Sequence, residues 1–264
     1  MGLTSFAAMC FGMEISMSCT LFMTSSLGCV GWDEEKNAPC PQEFDDANGL
    51  LTLLEERWRS PARFLFVASY EGGGQRADEY AAVMAQGFTM SGLPIANVTV
   101  LDGRNPEVVN VLDQFDVIFL SGGHVPTENR FFRAIGLGEA IRQFEGIVIG
   151  ESAGSMNCAD VVYASPEESG EAVDTSYELY IEGLGLADVN IMPHMQKVWS
   201  TKLDGFDLFE DILLRDSFER PFYALPDGSF ILQEEGLRIL YGPGYWIDCG
   251  QVEEIGAEGE GRIL

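Results

Sequence analysis

The stretch GIVIGESAGSMNCAD, residues 146–160, runs a short β-branched segment into Gly150-Glu151-Ser152-Ala153-Gly154 and then into a helical pattern. Glycines on both sides of Ser152 permit a tight strand-to-helix turn, which lifts a serine Oγ above the end of a sheet. The N–H of Ala153, at the start of the next helix, would then face an oxyanion formed there. The same residues also suit a plain handover from strand to helix. The surrounding fold and the partners available to Ser152 decide between the two.

Working outward, short apolar runs alternate with helical periodicity. TLFMTSS (residues 20–26) reads as a strand, residues 27–45 as loop, and NGLLTLLEERW (48–58) as an amphipathic helix. RFLFVAS (63–69), ANVTVL (96–101), DVIFLSGG (116–123) and GIVIG (146–150) read as four further strands. The helices RADEYAAVMAQGFTMSG (76–92), PEVVNVLDQF (106–115) and TENRFFRAIGLGEAIRQF (127–144) separate them. Alternation of this kind predicts an α/β fold, a doubly wound, mostly parallel sheet with helices on both faces. Ligands of such sheets bind beyond the carboxyl ends of the strands, where both the Gly122-Gly123-His124 loop and Ser152 fall. After Leu225 the pattern changes to short antiparallel hairpins. No repeat or linker divides the chain, so residues 20–264 read as one domain and residues 1–19 as an N-terminal extension.

Composition excludes several classes of partner. A formal net charge of -27 leaves too few clustered cations for nucleic acid or an anionic membrane surface. No apolar run reaches eighteen residues, so no spanning helix is expected. The first basic residue is Lys36, so the N-terminus lacks the basic region of a signal peptide, and Phe6 breaks the myristoylation pattern. Six cysteines form no C-x-x-C pair and sit at no zinc spacing, which suits reduced thiols in a cytoplasmic protein.

A serine nucleophile needs a base, and the chain holds only two histidines. His124 follows two glycines at a strand end, where it reads as a turn residue or substrate contact, and where the N–H groups of Gly122 and Gly123 could complete an oxyanion hole. His194 follows the apolar run of residues 189–192 and a proline, so it too points to the carboxyl edge of the sheet. The acid that orients the imidazole has three candidates, Asp174, Asp188 and Asp227, and spacing alone does not choose among them. The three glycines of EGGGQRADEY lack the Lys-Ser/Thr ending of a phosphate-binding loop, and the acids of SPEESGEAVDTSYE (residues 165–178) read as a solvated loop.

LSGGHVPT, GESAGSMNCA, MPHMQ and FYALPDGSF, in that order, resemble the dipeptidase E–cyanophycinase group of serine peptidases, peptidase family S51. The resemblance extends from about Thr20 to near the C-terminus. It implies a flavodoxin-like sheet related to class I glutamine amidotransferases, with serine in place of the amidotransferase cysteine. Carried over by position, Ser152 is the nucleophile, His194 the base, Asp227 the orienting acid, and Gly123 with Ala153 the oxyanion hole. Three positions depart from the family pattern. Glu151 replaces an aromatic residue, His124 replaces asparagine, and Asp227 replaces a longer glutamate.

The implied reaction is hydrolysis of short peptides, with N-terminal aspartyl dipeptides or aspartyl-arginine polymers as the family's substrate classes and no metal or organic cofactor. His124, Lys197 and Arg130 are the expected substrate contacts, with Lys202 and Arg133 nearby. The alternatives are a non-catalytic ligand-binding domain on the same fold, or an esterase or amidase.

Overall fold

The computed structural model describes residues 19–264, so the expected extension over residues 1–19 lies, apart from Cys19, outside the described residues. Strand β1 (Thr20–Thr24) leads to a hairpin of β2 (Val30–Asp33) and β3 (Ala38–Pro41), then α1 (Leu50–Glu55) and β4 (Ala62–Val67). Next come α2 (Gly74–Met90), β5 (Ile95–Leu101), a 3-10 segment (Pro106–Gln114) and β6 (Val117–Leu120). Helices α3 (Val125–Ala134) and α4 (Leu137–Ile141) precede β7 (Ile147–Glu151) and α5 (Ala153–Met156). Beyond them lie β8 (Val161–Tyr163), β9 (Tyr180–Glu182), β10 (Ile191–Met192) and α6 (Met195–Val198). The chain then forms β11 (Lys202–Leu203), β12 (Phe206–Asp207), α7 (Leu214–Asp216), β13 (Phe222–Ala224) and β14 (Phe230–Glu234). It finishes with β15 (Leu237–Tyr241), β16 (Gly244–Asp248), β17 (Gln251–Gly256) and β18 (Gly261–Ile263).

Eight strands form the main sheet in the order β18-β15-β14-β1-β7-β6-β4-β5. The five from β1 to β5 in that order are parallel, and β14, β15 and β18 continue the sheet antiparallel. Strand alternation divides the core in two. Phe119 and Ile149 join Phe64, Phe66 and the α2 residues Met84 and Phe88 on one face. Ile118 and Val148 join Phe131 and Phe132 of α3 on the other. Strands buried on both faces carry near-continuous apolar runs, and VIFL of β6 is wholly buried.

The chain steps from β4 out to β5, then returns across β4 to β6, and such a reversal opens a crevice at the strand ends. A second sheet, β10-β13-β16-β17, packs alongside. Its β10 and β13 are parallel, with Met192 opposite Ala224, so the segments that follow them emerge side by side.

Three expectations need correction. Residues 27–45 are not loop alone, since they contain the β2–β3 hairpin. Its turn is closed by Asp33 Oδ1, which accepts the N–H groups of Glu35 and Lys36, and Pro39 and Pro41 are tolerated because the ribbon has only two strands. The segment from Pro106 is 3-10 with a break at Val111 (φ -132°), in keeping with its β-branched valines and with Asn110, all poor helix formers. The helix expected over residues 127–144 divides at Gly136, whose φ of 71° ends α3 in a left-handed turn.

Candidate active site

Ser152 sits between β7 and α5 with φ 53° and ψ -119°, a conformation that costs a non-glycine residue on the order of 1–3 kcal/mol. The surroundings hold it there. Its N–H donates to the Thr24 carbonyl at 3.1 Å, and its carbonyl accepts the N–H groups of Ser155 and Met156 at 3.0 and 3.1 Å. Ser155 Oγ accepts the Thr24 N–H at 2.8 Å and donates to the Thr24 carbonyl at 2.9 Å, which ties the elbow to β1. Both flanking glycines answer to close contact. A Cβ on Gly150 would lie 2.7 Å from Ser155 Cα, and one on Gly154 would run into the Leu120 carbonyl oxygen of β6.

The parallel pairing of β10 with β13, in the second sheet and not at the edge of the main one, delivers His194 and Asp227 side by side. His194 is itself left-handed (φ 56°), which turns its ring back toward Ser152. Nε2 lies 2.9 Å from Ser152 Oγ, and Nδ1 lies 2.6 Å from Asp227 Oδ1. Ser25, just past β1, accepts the His194 backbone N–H at 2.7 Å and donates its own hydroxyl to Asp227 Oδ1 at 2.8 Å. Gln196 donates to Asp227 Oδ2 and accepts the Asp227 N–H at 3.0 Å.

Burial works to raise the Asp227 pKa. The hydrogen bond and charge of His194, the Ser25 hydroxyl and Lys197 outweigh it, and the carboxyl is held below its ordinary value. An ionised carboxylate only accepts, so the proton between the pair belongs on Nδ1, which leaves the Nε2 lone pair facing the Ser152 hydroxyl. That arrangement can take a proton from the serine.

Beside Ser152 opens a cavity of about 750 Å³, lined on its polar side by Gly122, Gly123, His124, Glu151 and His194. Among the described residues, neither the Gly123 nor the Ala153 N–H donates to a protein acceptor. Glu151 reaches back to the β1–β2 connection, where its Oε1 accepts the Leu27 N–H at 2.9 Å. Burial is the largest influence on this carboxyl and raises its pKa.

The remaining candidates are placed as follows. His124 lines the cavity, but both ring nitrogens are engaged, Nδ1 with Thr127 Oγ1 and Nε2 with Glu171 Oε1, each at 2.8 Å. Lys197 stands behind the acid instead of in the cavity, with Nζ 3.8 Å from Asp227 Oδ2. Arg130 is exposed on α3 and reaches Thr127, outside the cavity lining. Arg133 pairs with Glu182 and Lys202 with Asp207. Asp174 closes a turn onto Ser176, and Asp188 pairs with Arg238, so neither faces His194. His124, Glu168 and Glu171 have possible metal-ligand atoms within 4.8 Å of one another. Glu171 is engaged at both oxygens, Oε1 by His124 and Oε2 by the Glu167 and Glu168 N–H groups, while Glu168 is exposed.

Ser25 and Gln196 were not among the sequence candidates. Serine and glutamine carry no motif signal of their own, although Gln196 lies within the quoted MPHMQ.

The model for peptidase family S51 matches residues 42–240. No curated relative matches the chain. Among solved structures it is similar to a peptidase from an acI-B1 Actinobacterium, at 16% identity and a TM-score of 0.60, covering 94% of this chain and 98% of that one. It is also similar to a peptidase E-type protein from Listeria monocytogenes EGD-e, at 17% identity and a TM-score of 0.52, covering 91% and 99%. At these identities the structural likeness speaks to the fold, and the family match carries the assignment.

Proposed function

This chain belongs to peptidase family S51 and is a serine-type peptidase, and from that premise we propose that it hydrolyses short peptides through an acyl-enzyme on Ser152. The observation that carries the reading is the continuous relay from Ser152 Oγ to His194 Nε2 at 2.9 Å and from Nδ1 to Asp227 Oδ1 at 2.6 Å.

In this reading His194 accepts the Ser152 proton as Oγ attacks the amide carbonyl. The oxyanion is received by the N–H groups of Gly123 and Ala153, which donate to no other acceptor among the described residues. As the tetrahedral intermediate collapses, His194 returns the proton to the leaving amine. Water, deprotonated by the same imidazole, then attacks the ester and releases the acid. Asp227 holds the tautomer throughout and stabilises the imidazolium formed on the way. A cavity of about 750 Å³ suits a substrate of di- or tripeptide size.

The test is release of amino acids from a panel of dipeptides and tripeptides by the wild type, Ser152→Ala and His194→Ala. Each substitution is expected to lower kcat by roughly 10³-fold or more, because members of such a relay act as a unit. A folded wild type that cleaves esters but no peptide would favour an esterase. One that cleaves neither would favour a binding domain.

A further inference from the structure

The residue before Ser152 is a carboxylate for which the mechanism above has no task. Glu151 closes β7, on the same side of the sheet as Ile147 and Ile149, and so turns toward α2. Its Oε1 takes the Leu27 N–H at 2.9 Å and the Ser26 hydroxyl at 3.4 Å. Its Oε2 receives no protein donor among the described residues, although the side chain lines the cavity. Val30, Phe66, Ala68, Ala77 and the ring of Tyr80, which pack on this face with Ile149, supply apolar surface to the cavity. Tyr80 and Glu151 line the same cavity, and the Tyr80 phenol is pushed up by burial first and by the Glu151 charge second.

We propose that Glu151 is a specificity residue that receives the cationic end of a lysine or arginine side chain next to the scissile bond. The proposal rests on the serine-peptidase reading of this cavity. An apolar wall ending in a carboxylate matches a methylene stem ending in a cation. A substrate α-ammonium has no stem and would leave those walls unfilled. The aspartyl side chain that the family resemblance implied would place a second carboxylate beside Glu151.

Other charges facing the cavity fit this assignment. Glu168 is exposed there, His194 is committed to Asp227, and His124 to Glu171. Arg76 is the one cation of fixed charge in the lining; it is exposed and pairs with no acid among the described residues. An acidic substrate would have to find Arg76 while passing two carboxylates. A chain of net charge -27 also draws cations toward it over a long range. Burial raises the Glu151 pKa, and an arriving cation supplies the compensation that burial withholds.

The test measures kcat/KM for Lys-Ala, Ala-Lys, Arg-Ala, norleucine-Ala, Ala-norleucine and Asp-Ala, each with a free and an acetylated α-amine. Enzymes are the wild type, Glu151→Gln, Arg76→Gln and Ser152→Ala. Glutamine keeps a carbonyl acceptor for the Leu27 N–H. The wild type is expected to prefer lysine or arginine over norleucine, the neutral stem, on at least one side of the bond and irrespective of acetylation. In Glu151→Gln that ratio is expected to fall by about 10- to 100-fold, the scale of losing a specific polar contact. Equal use of lysine and norleucine, a ratio unchanged in Glu151→Gln, or a preference for Asp-Ala that depends on Arg76 would each overturn the proposal. A preference that disappears on acetylation would assign Glu151 to the α-ammonium and overturn the side-chain assignment. Equal use of lysine and norleucine by the wild type overturns the proposal even if Glu151→Gln does not fold. Ser152-dependent cleavage of the neutral peptides sustains the serine mechanism whatever the lysine ratio. Absence of any Ser152-dependent cleavage overturns both.

Discussion

Asp227 is gripped from three sides. His194 Nδ1 and Ser25 Oγ meet one oxygen, Gln196 meets the other, and Gln196 also holds the Asp227 backbone. The carboxylate of this shorter acid is therefore fixed against the imidazole by residues of two other segments. Asparagine in its place would offer an amide that can donate to Nδ1, which favours the tautomer with its proton on Nε2. Asp227→Asn is accordingly expected to lower kcat by about 10³- to 10⁴-fold, with little change in KM. The acid side of stability follows from the same contacts. The Asp227 pKa is below its ordinary 3.8, so its contribution is complete above that value and is lost as pH falls through the depressed one. Unfolding midpoints of the wild type and Asp227→Asn, followed from about pH 7 down to about pH 3, should differ most at the upper end and converge at the lower. A gap that stays constant or widens toward acid would refute this account of the carboxylate.

At the scale of elements, the elbow and the parallel pair do different work. The β7–α5 elbow presents one side chain by straining one residue, and the close seat of α5 against β6 depends on Gly154. Gly154→Ala pushes a methyl into the Leu120 carbonyl, so α5 must shift away from β6. Overpacking of this kind typically costs about 1–3 kcal/mol. Thermal unfolding should show that loss together with a fall in kcat, whereas an unchanged Tm and activity would mean the seat is looser than described. Four of the five parallel strands were legible in the sequence because strands buried on both faces are written as apolar runs, and the edge strand β5 was legible from its β-branched residues. The β2–β3 hairpin was not, because its strands carry Gly31, Pro39 and Pro41 and pair only with each other. Ser152 and His194 were legible from strand ends and from the scarcity of histidine. The choice of Asp227 over Asp174 and Asp188 came only through the family resemblance and not from spacing, since it depends on the Met192–Ala224 register, a tertiary fact. Ser25 was hidden for the same reason, lying 202 residues from the carboxylate it meets.

Across the whole molecule, the strand ends of two sheets bring together residues from well-separated segments. Ser25 follows β1, Gly123 follows β6, Ser152 follows β7, His194 follows β10 and Asp227 follows β13. The cavity beside Ser152 opens where the ends of β4, β6 and β7 adjoin, and a net charge of -27 draws cations toward the molecule over a long range. The account depends most on Ser152 being the atom that is acylated. The direct measurement is mass spectrometry of the intact protein and its peptides after treatment with a fluorophosphonate, with residual peptide turnover followed in parallel. One adduct per chain on Ser152, formed as turnover is lost and slowed in His194→Ala, is the predicted result. Turnover that survives full modification of Ser152, or an adduct that maps to another residue, would contradict it.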